Sequence, residues 1–189
     1  SVASAFQFNL PDRSNIRFNP ELEPMGAIGD AGWYNMRAAV EYLAPGVELD
    51  TVSASMRRDV QTNAALSGSG IFSFTDGSSS TWNCGLDSGA VVMDLRITGR
   101  KGVINIDDFI SQNQDGSAEF TYRAGGGDMG GLDQISIPSD KPGAVLMFEN
   151  MAAAAADVSL REQWMTATAR TQALLDAAWM AALESEKSG

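Results

Sequence analysis

The chain has no histidine and a single cysteine, Cys84, among its 189 residues. One thiol cannot form an internal disulfide, and without imidazole no Cys/His nucleophilic pair and no His-bearing metal site can be built. Basic residues are also scarce: 13 Lys and Arg stand against 24 Asp and Glu, a formal net charge of -11. A field of that sign repels phosphate backbones, which sets nucleic-acid binding aside. Long apolar runs are missing too. The best candidate, AVLMFENMAAAAA at 144–156, is broken by Glu149 and Asn150 and is too short to span a bilayer. The N-terminus shows no signal peptide, no Arg-rich transit segment and no initiating Met, so Ser1 is not expected to be where translation began.

What is present fits one domain over 1–189, long enough to bury a sizeable core without staples. Between Val47 and Asp140 short β-type runs alternate with turn residues, and the links TDGSS and TGRKG suit hairpins. Strands joined so briefly must run antiparallel, because a parallel pair needs a long crossover. The runs are LDTVSASMRRD, SGIFSFT, STWNCGL, AVVMDLRIT, GVINID, AEFTYR and DQISIP. After Pro142 two Ala-, Leu- and Met-rich segments free of Gly and Pro predict two helices, and a third is expected from about Gly32 to Leu43. Together they predict an α+β domain: an open, mostly antiparallel sheet with the helices on one face. Pairs such as Phe72 with Phe74 and Val91 with Met93 predict a partly apolar opposite face that meets a protein partner or a second copy.

Three motifs call for chemistry. GAIGDAGWYNMR, residues 26–37, is expected to be a loop feeding the first helix, with Asp30 as its N-cap. Tyr34 lies one helical turn beyond Asp30, so carboxylate and phenol can also converge on one small polar ligand, the phenol as proton donor. A literal G-x-G-x-x-G at Gly125, Gly127 and Gly130 leads into a strand-like segment. A dinucleotide site needs the glycines where a strand turns into a helix, so a flexible loop is expected there. Asp107 and Asp108 have no second acidic pair near them, and a solvated turn is expected in place of a metal site.

NIRFNPELEPMGAIGDAGWYNMRAA, GRKGVINIDDFI and RTQALLDAAWMAAL resemble the C-terminal domain of the glucose-fructose oxidoreductase and inositol dehydrogenase (Gfo/Idh/MocA) family, over nearly the whole chain. The GDAGWY form is similar to plant and algal members. The resemblance implies an open sheet with a subunit contact on its bare face, and substrate contacts at the start of the matching helix, here Asp30 and Tyr34. It also implies a nicotinamide cofactor on an N-terminal Rossmann domain bearing a Glu-Lys-Pro lysine. No Glu-Lys-Pro occurs in this sequence.

Two functions follow as expectations. The first is a non-catalytic interaction subunit derived from an oxidoreductase C-terminal domain, with Asp30 and Tyr34 as inherited, vestigial groups. It has no cofactor of its own and is held in a larger assembly, a plastid complex being one home consistent with the motif. The second is the C-terminal half of an NAD(P)-dependent oxidoreductase acting on a sugar, polyol or dihydrodiol, the cofactor being held by a Rossmann half. Hydride transfer needs cofactor and substrate held together, so the chain alone is not expected to catalyse it.

Overall fold

A computed structural model describes residues 1–111, 116–125 and 131–188. Nine strands form one sheet: β1 Val2–Asn9, β2 Leu49–Arg58, β3 Ala65–Phe74, β4 Ser79–Gly85, β5 Asp87–Val92, β6 Leu95–Gly99, β7 Gly102–Ile106, β8 Ala118–Ala124 and β9 Asp133–Ile137. Three helices accompany them: α1 Gly26–Tyr42, α2 Gly143–Ala156 and α3 Val158–Ser188. The sheet order is β2-β3-β4-β1-β6-β7-β8-β9, with β5 also paired to β1. The α+β class and the mostly antiparallel sheet are as expected, and both hairpins form at the predicted turns.

Two sheet features differ from expectation. β1, outside the predicted block, inserts at the centre and pairs parallel to β4, with Val2 opposite Ser80 and Phe6 opposite Cys84. This is possible because the connection runs through α1 and the β2–β4 meander, long enough for a crossover. The run AVVMDLRIT is two strands, β5 and β6, laid end to end along β1. They part at Met93 and Asp94, where the Met93 carbonyl turns to the Phe109 amide at 3.1 Å.

The core lies between the helices and the β1–β4 half of the sheet. Ile28, Met36, Phe72, Trp82, Cys84 and Leu175 are among its buried members. α1 packs over β1, β3 and β4, while α3 packs over β2 and α1. Glycine in β3 makes the close approach possible. A methyl group at Gly68 would stand 2.7 Å from Ile28 of α1, and one at Gly70 would stand 2.8 Å from the Trp82 ring and 2.5 Å from the Ser53 carbonyl. α3 is stitched on by an Arg58 fork to Glu186 at 2.8 and 2.9 Å and by Arg170 donating to the Val47 carbonyl at 2.9 Å. Its buried side is confined to the second half, at Thr171, Leu174, Leu175, Ala178 and Ala182, and Trp164 is exposed.

α2 does not join α1 and α3 on the sheet. It rests on α3 and buries none of its residues, leaving Val145, Leu146, Met147, Phe148 and Met151 exposed. No single helix among the described residues is long and apolar enough to cross a membrane; α2 and α3 pass that test only as a pair bent by 117°. The opposite face of the sheet is hydroxylic where an apolar face was expected. Phe72 and Phe74 point into the core, while Thr51, Ser53 and Ser55 face out beside Ser69, Ile71 and Ser73. Period-two alternation assigns one parity to each face, and here the phenylalanines and serines take opposite parities.

The loop before α1 is anchored at a buried carboxylate. Arg13 Nε stands 2.9 Å from Asp59 Oδ2, and its guanidinium lies 4.3 Å over the Phe18 ring. Burial alone would push the Asp59 carboxyl up, but the Thr62 and Gln61 amides, the Thr62 hydroxyl and Arg13 outweigh it and hold it below its ordinary value. A depressed folded value means this stabilisation is present above the unfolded pKa of about 3.9 and is lost as pH falls through the folded one. Urea unfolding across the acid range is therefore expected to show a flatter fall in stability for Asp59→Asn than for the native chain. In the same assay at neutral pH, Gly70→Ala is expected to cost about 1–3 kcal/mol through overpacking against Trp82.

Candidate active site at the start of the first helix

The run GAIGD is the first turn of α1, six residues ahead of the predicted start. Gly26 opens the helix with φ +48, and a side chain there would lie 2.4 Å from the Ala65 carbonyl oxygen. The glycine is required by contact with β3, not by a flexible loop. Ala27, Ile28, Ala31 and Gly32 are buried against the sheet, and this burial overrides the weak helix propensity of glycine. Met25 occupies the N-cap position and makes no side-chain cap bond. Asp30 is thus not a cap: it is the fifth helical residue and its carboxylate serves another group.

That group is Arg17, on a 3-10 turn at Ile16–Phe18 whose Asn15 side chain accepts the Arg17 amide at 3.1 Å. Its Nη2 donates to Asp30 Oδ1 at 2.6 Å, and its Nε stands 2.6 Å from Oδ2. The guanidinium is held above its ordinary value chiefly by the hydrogen bond to Asp30, with Asp30, Glu23 and Tyr34 adding charge attraction against burial. A charge-assisted hydrogen bond with a second close ion contact fixes a carboxylate in orientation. A carboxylate accepts about four hydrogen bonds, so this pairing with Arg17 leaves Asp30 capacity for a ligand hydroxyl.

Tyr34 stands one turn along the same side of α1 and is 42% exposed. Its ring makes edge contacts to Phe6 at 5.4 Å and Trp33 at 5.9 Å, and Phe6 meets Phe8 at 5.3 Å. Asp30 and Tyr34 therefore share a helix face, as expected, with an aromatic wall beside them. Arg17 and the wall were not singled out in the sequence, since their link to α1 spans 13 residues for Arg17 and a sheet contact for Phe6. Chemically, the cluster offers an oriented carboxylate, a phenol able to donate or accept a proton, and an apolar surface for a ring.

The remaining candidates stay apart. Cys84 lies fully buried beneath Gly32, its thiol pushed up to about 12 by burial, which removes it as a nucleophile. Asp108 accepts the Ile110 and Ser111 amides at 3.0 and 2.7 Å, the expected turn. Among the described residues no cluster of acidic or Cys side chains could hold a metal ion. Gly127 and Gly130 lie outside the described residues; Gly125 follows β8, and the next described element is strand β9. A trough of about 710 Å³ of mixed polar and apolar lining, including Ala3, Ala5, Thr81, Asn83, Arg96 and Leu132, lies on the face across the sheet from Tyr34.

No family model matches the chain. Its fold is similar to that of solved Gfo/Idh/MocA-type oxidoreductases. KijD10, a 3-ketoreductase from Actinomadura kijaniata solved with NADP and TDP-benzene, matches with a TM-score of 0.77 and 19% identity, over 95% of this chain and 53% of its own. The aldose-aldose oxidoreductase from Caulobacter crescentus, complexed with glycerol, gives 0.75 and 19% over 97% and 53%. The UDP-N-acetylglucosamine 3-dehydrogenase GnnA from Acidithiobacillus ferrooxidans gives 0.67 and 14% over 95% and 53%. The chain thus spans about half the length of each, and identities this low establish a shared fold.

A double-mutant cycle separates the ion-pair role of Asp30 from the capping role. Arg17→Met and Asp30→Asn are each expected to cost on the order of 1 kcal/mol in urea unfolding, as for a partly exposed pair, and the double variant to cost little more than either alone. Independent, additive losses would show that Asp30 stabilises α1 without Arg17.

Proposed function

We propose that the chain is the substrate-binding half of a Gfo/Idh/MocA-type oxidoreductase that acts on a sugar, polyol or dihydrodiol, with the nicotinamide cofactor held by a second domain. The observation that carries this reading is the Arg17–Asp30 ion pair with Tyr34 one turn along and aromatic rings beside it, in a fold shared with sugar and sugar-nucleotide oxidoreductases. Arg17 orients Asp30, Asp30 accepts a substrate hydroxyl, and Tyr34 holds or releases a proton at the neighbouring oxygen. Phe6 and Trp33 offer apolar surface to the carbon face of a ring and exclude water from one side of it.

The described residues do not fit the cofactor itself, for a pyrophosphate is held where a glycine turn enters a helix. β9 enters α2 through Pro138 and Pro142, and Gly125 leaves a strand and precedes a strand. No hydride step is therefore assigned to these residues. The exposed apolar residues of α2 are the surface we assign to the cofactor-bearing domain. The scaffold reading draws no support from Phe72 and Phe74, which belong to the core, although Val91 is exposed.

The test is ligand binding by the purified chain, followed through nuclear magnetic resonance signals of Trp33 and Tyr34 and by calorimetry. A neutral sugar or polyol at millimolar concentration is expected to shift those signals, and Tyr34→Phe or Asp30→Asn to weaken binding about tenfold or more, as for a lost hydrogen bond to a charged or polar partner. NADH and NADPH are expected to give no heat. Micromolar binding of either nucleotide would overturn the division between two domains, and unmoved signals with every sugar, polyol and dihydrodiol tried would overturn the site.

A further inference from the structure

We infer that Glu23, seated against the side-chain-free surface of Gly29, makes this site selective for neutral or cationic rings and against rings bearing a carboxylate or phosphate. The inference rests on the substrate-binding reading above and concerns the ring that meets α1, not a remote substituent.

Glu23 lies in the turn before α1, with its amide bonded to the Asn19 carbonyl at 2.8 Å and its own carbonyl accepting the Gly26 amide at 3.2 Å. Its half-buried side chain runs along the helix surface at Gly29. A methyl group on Gly29 would stand 2.8 Å from Glu23 Oε1 and 2.9 Å from Met25 Cβ, so a side chain there would displace the Glu23 carboxylate or press on the turn that carries it. Gly29 directly precedes Asp30, and the charge of Glu23 acts on Arg17 alongside that of Asp30.

The balance of charge follows. One guanidinium faces two carboxylates, so the polar end of the site carries a net negative charge although an arginine stands in it. Had Arg17 been free, an anionic ring would be the natural ligand; with its Nη2 hydrogen-bonded to Asp30, its Nε 2.6 Å from the same carboxylate and its field shared with Glu23, its charge is already countered. A ring carboxylate about 4 Å from an unneutralised carboxylate at a protein surface meets repulsion worth about a tenfold loss of binding or more. Ring hydroxyls meet acceptors instead, and a ring ammonium meets attraction. The rest of the chain, at net -11, reinforces the sign.

The experiment uses one ring in three charge states: glucose, glucosamine and glucuronate, titrated into the full chain in mildly acidic, low-salt buffer and read at the Trp33 and Tyr34 signals. Glucuronate is expected to bind about tenfold more weakly than glucose, and glucosamine at least as well as glucose. Glu23→Gln is expected to narrow the glucuronate-to-glucose gap to about threefold or less, and added salt to narrow it in the native chain. Gly29→Ala, whose methyl would press on the Glu23 carboxylate and on Met25 Cβ, is expected to narrow the gap in the same way, with an unchanged circular dichroism spectrum showing the fold intact. Glucuronate binding as well as glucose in the native chain, or an unchanged gap in Glu23→Gln, overturns the inference and leaves the substrate-binding reading standing. A gap lost in Glu23→Gln but kept in Gly29→Ala overturns the seating by Gly29. Binding of none of the three overturns the sugar reading together with the inference.

Discussion

The distance between α1 and β3 governs this molecule. Gly26 lets the first turn of α1 touch the Ala65 backbone, and Gly68 and Gly70 clear the space that Ile28 and Trp82 fill. Side chains at Gly26 and Gly68 would press α1 away from β3, which a close-packed interior does not absorb. Everything at the site is referred to that seating. It points Asp30 at the Arg17 turn, sets Tyr34 against Phe6 and closes Cys84 away from water. The loop that carries Arg17 is fixed from the other side by Arg13 on Asp59 and Phe18, so the ion pair joins two independently anchored parts.

Much of the fold was legible because its signals are local. The hairpin turns TDGS and GRKG, and the period-two runs of β2, β3, β4, β7, β8 and β9, state their structure within a few residues. What was not legible depended on distance along the chain. β1 reads as an alternating stretch broken by proline, and nothing in it announces that its partner is β4, some 75 residues away, with Val2 opposite Ser80. The start of α1 was misplaced for a related reason. Glycines usually signal a loop, and only the backbone of β3 reveals that Gly26 is there to let a helix come close. For the site, the Asp30 and Tyr34 spacing was readable from helix geometry, whereas Arg17 was hidden because its turn lies outside any periodic element.

The two faces of the sheet divide labour in a way that composition concealed. Both faces draw on strands with apolar and small polar residues, and an average over the strand looks moderately apolar. Parity separates them: Phe72, Phe74, Trp82 and Cys84 go under the helices, while Thr51, Ser53, Ser55, Thr81 and Asn83 go out. A single large apolar residue, Ile71, interrupts the hydroxylic block between β2 and β4. A run of exposed apolar residues lies on α2, which carries one charged residue, Glu149, across its length, and continues at Val158, Trp164 and Met165 of α3. The side with unsatisfied hydrophobic area is thus the helical arm, far from where strand composition suggested.

The central place of β1 has a temporal consequence. The strand that closes the middle of the sheet lies far along the chain from its hydrogen-bonding partners in β4, β5 and β6. Contacts of such long sequence separation must wait for loop closure over most of the domain, which slows folding and lengthens the time that β4 and β6 spend as bare edges. Until β1 pairs, β4 and β6 are edges that any other extended segment of matching pattern can compete for. A long-range pairing is thus what joins the two locally connected parts of the sheet.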